Sequence, residues 1–276
     1  MINKITDKTH LNNGVDMPWL GFGVFQIKDG QPVEQAVKTA LGVGYRSIDT
    51  AAVYKNERGV GKAIRESGVS RDEIFLTTKL WNEDQRQHRV QAAFDESLKR
   101  LGVDYVDLYL VHWPVKDHYQ NTWPEMEQIY NSGRAKAIGV SNFMVHHLDD
   151  ILPGCDVVPA TNQIEFHPHL VQPELLEHCE KYDIRVEAWS PLMKGEVVNI
   201  SVIQGLAEKY GKTPAQITLR WDVQHGVVTI PKSELAERIA ENAGIFDFEL
   251  DQEDMGLLDR LDQGKRIGPD PDNFNF

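Results

Sequence analysis

Short apolar runs alternate along the chain with stretches in which apolar residues recur every third or fourth position. That alternation predicts buried strands followed by amphipathic helices. The first pair is residues 20–23 followed by 31–41, where Val33, Ala36, Val37 and Ala40 fall on one helical face. The pattern continues with 46–49 and 56–67, 74–79 and 87–100, 106–111 and 123–132, 135–140 and 144–152, and 160–164 and 173–182. It ends with a strand at 185–188, helical segments at 200–210 and 214–225 parted by Gly211, and a strand at 227–230 before a helix at 235–244. Each unit takes ~30 residues, the length of a strand–helix repeat. Outside the repeat, residues 9–18 carry Asn12-Asn13-Gly14 between β-prone pieces and predict a hairpin. A helix at 251–261 leads into a tail at 268–276.

Eight such strands predict either a (β/α)8 TIM barrel or an open doubly wound sheet. The count favours the barrel. A doubly wound dinucleotide fold would carry G-x-G-x-x-G after its first strand, but Gly21-Phe22-Gly23 lacks the third glycine and Gly42-Val43-Gly44 precedes a strand. No Pro-, Gly- or Ser-rich linker interrupts the repeat, so residues 1–276 are read as a single domain. The 42 acidic against 29 basic residues, net charge -13, disfavour nucleic acid and anionic membranes as partners. Cys155 and Cys179 form no disulfide framework or CxxC pair, and no signal-peptide core or membrane-spanning apolar run is present. A reducing cytoplasm is the expected location.

In a barrel, chemistry is expected on the loops that leave the carboxyl ends of the strands. Polar residues gather there. Strand two ends at Asp49 with Tyr54 beyond it, strand three at Lys79, strand four at His112, strand five at Ser141 and Asn142, strand six near Gln163, strand seven at Trp189 and Ser190, and strand eight at Lys232 and Ser233. Each alone has an ordinary structural explanation; together they choose the same end of successive strands. Asp, Tyr, Lys and His on neighbouring strand ends suit proton transfer to a carbonyl oxygen better than nucleophilic attack. A lysine cation ~4 Å from a phenol at an effective dielectric of ~20 favours the phenolate by roughly 4 kcal/mol, about three pK units before offsets. Lys79 is thus expected to bring Tyr54 toward working range, Asp49 to keep Lys79 charged, and His112 to hydrogen-bond the substrate oxygen.

The motifs G-Y-R-S-I-D-T-A-A-V-Y-K-N-E, K-L-W, V-H-W-P, G-V-S-N-F and I-P-K-S-x4-R-I-x-E-N, in order between Met17 and Asn242, together resemble the aldo-keto reductases. The resemblance implies a (β/α)8 barrel closed at its base by the N-terminal hairpin. It implies a catalytic tetrad of Asp49, Tyr54, Lys79 and His112, and hydride transfer from NADPH to an aldehyde or ketone with Tyr54 as the acid. It assigns the nicotinamide carboxamide to Ser141, Asn142 and Gln163 and ring stacking to Trp189. Many members carry tyrosine at that stacking position; tryptophan keeps the π-face but brings no hydroxyl. Ser190 and Leu192 would follow toward the pyrophosphate, Lys232, Ser233 and Arg238 would meet the adenosine 2′-phosphate, and Glu241 and Asn242 the adenine. Cations and a hydroxyl at that place favour NADPH over NADH. Phe25, Val53, Trp81 and Trp113, with His112, would line the substrate pocket. Short loops at 115–122 and 193–199, and little chain beyond Asp262, predict a shallow, open pocket. Small bacterial-type members acting on 2-oxoaldehydes such as methylglyoxal or glyoxal, or on diketo sugar acids, look similar.

Two rivals remain. His167-Pro168-His169 and His146-His147 raise a metal-dependent hydrolase, but no acid and third histidine accompany them in the usual order, and no metal is expected. A catalytically silent cofactor-binding relative with a structural or regulatory role is the other, and the presence of every tetrad residue type argues against it. The expectation is a monomer acting on a small-molecule carbonyl substrate, without nucleic-acid or membrane partners.

Overall fold

The structure, a computed structural model, describes residues 2–276. At its start β1 (Lys8–His10) and β2 (Asp16–Pro18) pair antiparallel, with Thr9 opposite Met17. Gly14 in the turn takes φ 83°, a left-handed value that glycine adopts without strain. The repeat then runs β3 (Phe22–Gly23), α1 (Gln31–Val43), β4 (Ser47–Asp49), α2 (Glu57–Glu66), β5 (Phe75–Leu80), α3 (Asn82–Arg86), α4 (Val90–Leu101), β6 (Val106–Val111), α5 (Tyr119–Asn131), β7 (Ala135–Ser141) and α6 (Val145–Ile151). It continues with β8 (Thr161–Glu165), α7 (Pro173–Lys181), β9 (Arg185–Trp189), α8 (Ser201–Tyr210), α9 (Pro214–Gln224), β10 (Val228–Thr229) and α10 (Ala236–Ala243), and α11 (Gln252–Asp259) follows.

Strands β3 to β10 lie side by side in chain order, each parallel to the next. The two outer strands meet as well. Leu20 bridges Thr229 in parallel, with Thr229 N–H donating to Trp19 O (3.1 Å), Gly21 N–H to Thr229 O (2.9 Å) and Gly23 N–H to Pro231 O (3.2 Å). This seam closes the eight strands into the expected (β/α)8 barrel. The seam also explains Gly21: a Cβ there would lie 2.8 Å from Ile230 Cγ2 and 3.0 Å from Ser47 Oγ.

The strands read as apolar runs because both faces are covered; every residue of β5 and β6 is buried. Helices supply the outer cover through one apolar face each. In α1 that face is Val33, Ala36, Val37, Ala40 and Leu41; Pro32 fits its first turn, and Gly44, at φ 119°, ends it. At the amino ends of the strands the barrel is filled by Leu11 and Met17 of the hairpin, packed with Phe75, Leu108, Leu110, Ala137, Ala160 and Val228. Asn12 Nδ2 donates to Pro159 O (3.1 Å) and Asn13 Nδ2 to Lys136 O (2.9 Å), so the hairpin turn is pinned across the barrel floor.

Two elements depart from the periodicity. The helix expected at 87–100 starts only at Val90, as α4, because His88 takes φ 52° and parts it from a short preceding helix, α3, that an apolar repeat does not register. Helix α5 starts a turn before residue 123, leaving Pro124 inside its amino-terminal half instead of opening it.

Candidate active site

The carboxyl ends of β4, β5 and β6 bring Asp49, Lys79 and His112 together, and a single 3-10 turn, Ala52–Tyr54, sets Tyr54 beside them. Lys55, at φ 58°, reverses the chain into α2. Asn56, the residue before α2, makes no side-chain cap and fastens this loop from within: its Nδ2 donates to Val24 O and Ile27 O (3.0 Å each), and its Oδ1 accepts from Thr50 Oγ1 (2.8 Å). Lys79 is wholly buried; its Nζ donates to Asp49 Oδ1 (2.6 Å) and Thr50 O (3.0 Å) and lies 5.2 Å from the centre of the Tyr54 ring. Burial works against the ammonium, but Asp49, Tyr54 and Glu187 together outweigh it and hold Lys79 above its ordinary range.

Tyr54 shows the opposite balance. Burial pushes its phenol up, Lys79 recovers only part of that, and the charges of Asp49 and Glu187 add to burial. The expectation that Lys79 draws Tyr54 toward neutral pH is therefore corrected: desolvation prevails, and the phenol stays protonated. For His112, burial and then the Lys79 charge push the pKa well below the histidine range, so its imidazole is neutral. The ring stands edge-on to Tyr54 (5.7 Å) and to Trp81 (5.3 Å), and its Nδ1 has no partner among the described residues. Together these residues present a protonated phenol and a neutral imidazole over a buried ion pair.

Continuing around the rim, Ser141 Oγ donates to Gln163 O (2.9 Å), while Asn142 Nδ2 donates to His112 O (2.9 Å) and Ser141 Oγ (3.1 Å). Asn142 sits at φ 65° and Ser190 at φ 55°, turning the chain as it leaves β7 and β9. The Trp189 indole N–H donates to Asn142 Oδ1 (2.9 Å), so the position that lost a hydroxyl still makes a hydrogen bond, within the protein. Gln163 commits both amide hydrogens inward, to Asp49 Oδ2 (2.9 Å) and Glu187 Oε2 (2.7 Å), and keeps Oε1 as its remaining polar atom. Leu192 and Ser190 are partly exposed. Because β10 lies beside β9, Lys232 and Ser233 follow them on the rim. Lys232 Nζ reaches Glu234 (2.7 Å), Ser233 Oγ accepts from Leu235 N–H (3.1 Å), and Arg238 is exposed on α10. Glu241 Oε1 accepts from Thr213 Oγ1 (2.9 Å), and Asn242 is buried.

Phe25 and Trp81 stand over the same opening, Phe25 53% exposed and 5.0 Å from the Tyr54 ring; Val53 is partly exposed and Trp113 buried. The chain that follows α11 also borders this opening. Beyond Asp262 the chain folds back over the barrel. Glu165 Oε1 accepts from Ile267 N–H (2.6 Å) and Gly268 N–H (3.0 Å), and Gly268 passes so near Trp189 that a Cβ would meet its Cη2 at 2.3 Å. Farther along, Phe276 stacks on Trp81 (5.7 Å, 3°) and meets Trp113 edge-on (5.2 Å), and Phe274 adds a third aromatic at 5.1 Å from Trp113. Asn82 Nδ2 (3.1 Å) and Arg86 Nη2 (2.8 Å) hold the Phe276 carbonyl.

Glu187, Glu165, Asn82, Arg86 and the tail aromatics were not singled out from sequence. Only Glu187 left a clear signal there, an acid in the middle of the apolar β9 run. The histidine pairs resolve differently. His146, His147 and Asp272 bring ligand atoms within 4.8 Å of one another. However, His147 Nδ1 accepts from Met144 N–H (3.1 Å), which leaves the proton on the Nε2 that faces Asp272 (3.5 Å). A ring in that tautomer ties the tail to α6 and has no free ligand nitrogen. His167 Nε2 meets Glu165 Oε1 (3.2 Å) inside the loop after β8. No helix among the described residues is long and apolar enough to cross a membrane.

The sequence profile described as "Aldo/keto reductase family" matches residues 19–263. The chain is 54% identical over 276 residues to "Glyoxal reductase" of Bacillus subtilis (strain 168), covering all of both chains. It is 50% identical over 268 residues to "Methylglyoxal reductase DkgA" of Escherichia coli (strain K12), covering 96% of each. Among solved structures it resembles an aldo/keto reductase from Brucella melitensis (TM-score 0.89, 48% identity, 93% of this chain and 99% of that one). It also resembles MGS-M4, an aldo-keto reductase from a deep-sea metagenome library (TM-score 0.94, 43% identity, 97% of this chain and 100% of that one).

Proposed function

The chain belongs to the aldo/keto reductase family, and from that membership we propose that it uses NADPH to reduce small aldehydes and ketones to alcohols. The substrates proposed are 2-oxoaldehydes such as methylglyoxal and glyoxal, or diketo sugar acids. The observation that carries the reading is the buried Lys79–Asp49 pair, 2.6 Å apart, beside a protonated phenol and a neutral imidazole. Tyr54 gives its proton to the carbonyl oxygen. The Lys79 ammonium stabilises the phenolate left behind, Asp49 keeps Lys79 charged, and the His112 ring N–H holds the oxygen in place.

Bound along Ser141, Asn142, Gln163, Trp189, Ser190, Leu192, Lys232, Ser233, Arg238, Glu241 and Asn242, NADPH supplies the hydride. The residues suit it: Gln163 retains an uncommitted acceptor for an amide N–H, Trp189 offers a flat face, and Lys232 and Arg238 are exposed cations at the rim. Trp81, Trp113, Phe276 and Phe25 surround a confined aromatic opening, which supports a small substrate, as do the names of the two bacterial relatives.

Loss of NADPH absorbance across a panel of 2-oxoaldehydes, aryl aldehydes, aldoses and keto acids tests the proposal. Tyr54→Phe should lower kcat by ~10²–10⁴, the usual contribution of a general acid, while still binding NADPH. Near-native turnover in that variant would show that another group is the acid. NADPH binding without consumption on any carbonyl would favour a silent role. Arg238→Ala should weaken NADPH by roughly tenfold or more and NADH little, as expected for loss of a charge-assisted hydrogen bond; equal losses would remove the phosphate assignment.

A further inference from the structure

One buried acid beside these residues has no part in the reaction as described. Glu187, in the middle of β9, is fully buried inside the barrel. Its Oε2 accepts from Gln163 Nε2 (2.7 Å), and its Oε1 has no partner among the described residues. The same Gln163 nitrogen donates to Asp49 Oδ2 (2.9 Å), and Asp49 Oδ1 takes the Lys79 ammonium (2.6 Å). A continuous polar chain therefore crosses the barrel from β9 through β8 to β4 and β5, and it ends at the cation facing the Tyr54 ring. The groups whose charge reaches Glu187 are Asp49 from β4 and Lys79 from β5, and Glu187 in turn acts on Tyr54 from the turn after β4. Two acids share one cation.

We propose that Glu187 is a positioning residue whose protonation state sets how good a proton donor Tyr54 is. Protonated, Glu187 leaves Asp49 and Lys79 as a neutral pair beside the phenol. Ionised, it adds a negative charge that Lys79 must also offset, and the Tyr54 proton is held more tightly. The inference rests on the reading of Tyr54 as the acid. Geometry favours the protonated form, because a buried carboxylate oxygen with no protein partner is worse than a buried acid group without one. Burial first, and the Asp49 charge second, push Glu187 up to about 8 against the pull of Gln163 and Lys79. Its charge acts on Tyr54 in the same direction as burial, upward. Reduction should therefore slow as the solution passes from neutral to moderately alkaline.

Two measurements test this. The infrared C=O stretch of a protonated carboxylic acid, recorded on the protein alone, should contain a component that is absent in Glu187→Gln. In the native protein that component should fade as pH rises through about 8. Single-turnover reduction of methylglyoxal by NADPH should fall up to ~tenfold between pH ~6.5 and ~9 in the native protein, one pK unit on the donor being a factor of ten, and within about twofold in Glu187→Gln. Absence of that band at neutral pH, or superimposable pH–rate profiles, would overturn the inference. Tyr54→Phe run in parallel separates the failures. If Tyr54→Phe is inactive and the two profiles coincide, only the role of Glu187 falls; if it keeps turnover, the acid assignment falls and this inference with it.

Discussion

Lys79 and Asp49 illustrate how much a single contact decides here. Both are buried, so each carries a desolvation penalty that the other's opposite charge, at 2.6 Å, does most to offset. Lys79→Met should destabilise the fold by roughly 3–5 kcal/mol, because Asp49 is left buried without its countercharge. Adding Asp49→Asn should restore much of that loss. Urea unfolding of both single variants and the double variant at neutral pH measures this, and a double-variant loss equal to the sum of the two single losses would show that the pair is uncoupled. Asp222 is the contrasting case. Among the described residues its carboxylate accepts only from Thr229 Oγ1 (2.7 Å), and burial pushes its carboxyl well above the ordinary value of 3.8. The folded state holds a proton that the unfolded chain releases, so stability declines as pH rises from about 4 until the native group ionises. Asp222→Asn should gain stability relative to the native protein across that window, read as a Tm difference that widens with pH; a constant difference would mean that Asp222 is ionised in the fold. Asp49, Tyr54, Lys79 and His112 were legible because each ends or directly follows a strand in a recognisable motif. Glu187 showed in the sequence only as an acid inside an apolar strand; its role was not legible, because it depends on which way the Gln163 amide points across the barrel.

Among the elements, the segment beyond α11 changes the site most. Its Pro- and Asn-containing stretch offers no helical or strand periodicity, so its path could not be read from sequence. That path is set by contacts from distant positions, Glu165 at one end and Asn82 and Arg86 at the other. Phe276→Ala should expose Trp81 and Trp113, seen as stronger acrylamide quenching of tryptophan fluorescence, and should admit bulkier aldehydes. Unchanged quenching would mean that the tail does not cover the opening in solution. Within α6, the burial of His147 makes the fold acid-sensitive. Burial, reinforced by neighbouring His146, pushes His147 down to about 4 despite the opposing pull of Asp272. The unfolded chain therefore takes up this proton first, and the contribution of His147 is lost between about pH 6.5 and 4, up to roughly 3 kcal/mol. His147→Gln, which keeps an acceptor, should flatten the acid limb of a Tm–pH curve. The strand–helix units themselves were legible because periodicity reports burial, whereas the His88 break and the early start of α5 turn on backbone torsion and one turn of helix.

On the scale of the whole molecule, the barrel depends on a seam between its first and last strands. Gly21→Ala should destabilise by ~1–3 kcal/mol, the usual penalty for overpacking, because Ile230 and Ser47 leave no room for a methyl. A lower urea midpoint with an unchanged slope would register it, and no change would mean that the seam relaxes freely. The number of strands was legible in the sequence. How the ring closes was not, since Leu20 and Thr229 carry no mark that they are partners. The seam also bears on the order of assembly. Leu20 and Gly21 emerge from the ribosome long before Thr229 exists, so the first strand must wait with an unpaired edge until nearly the whole chain has been made. Closure joins Leu20 to Thr229, near the other end of the chain, and a nascent chain paused before residue 228 would be the species most in need of a chaperone.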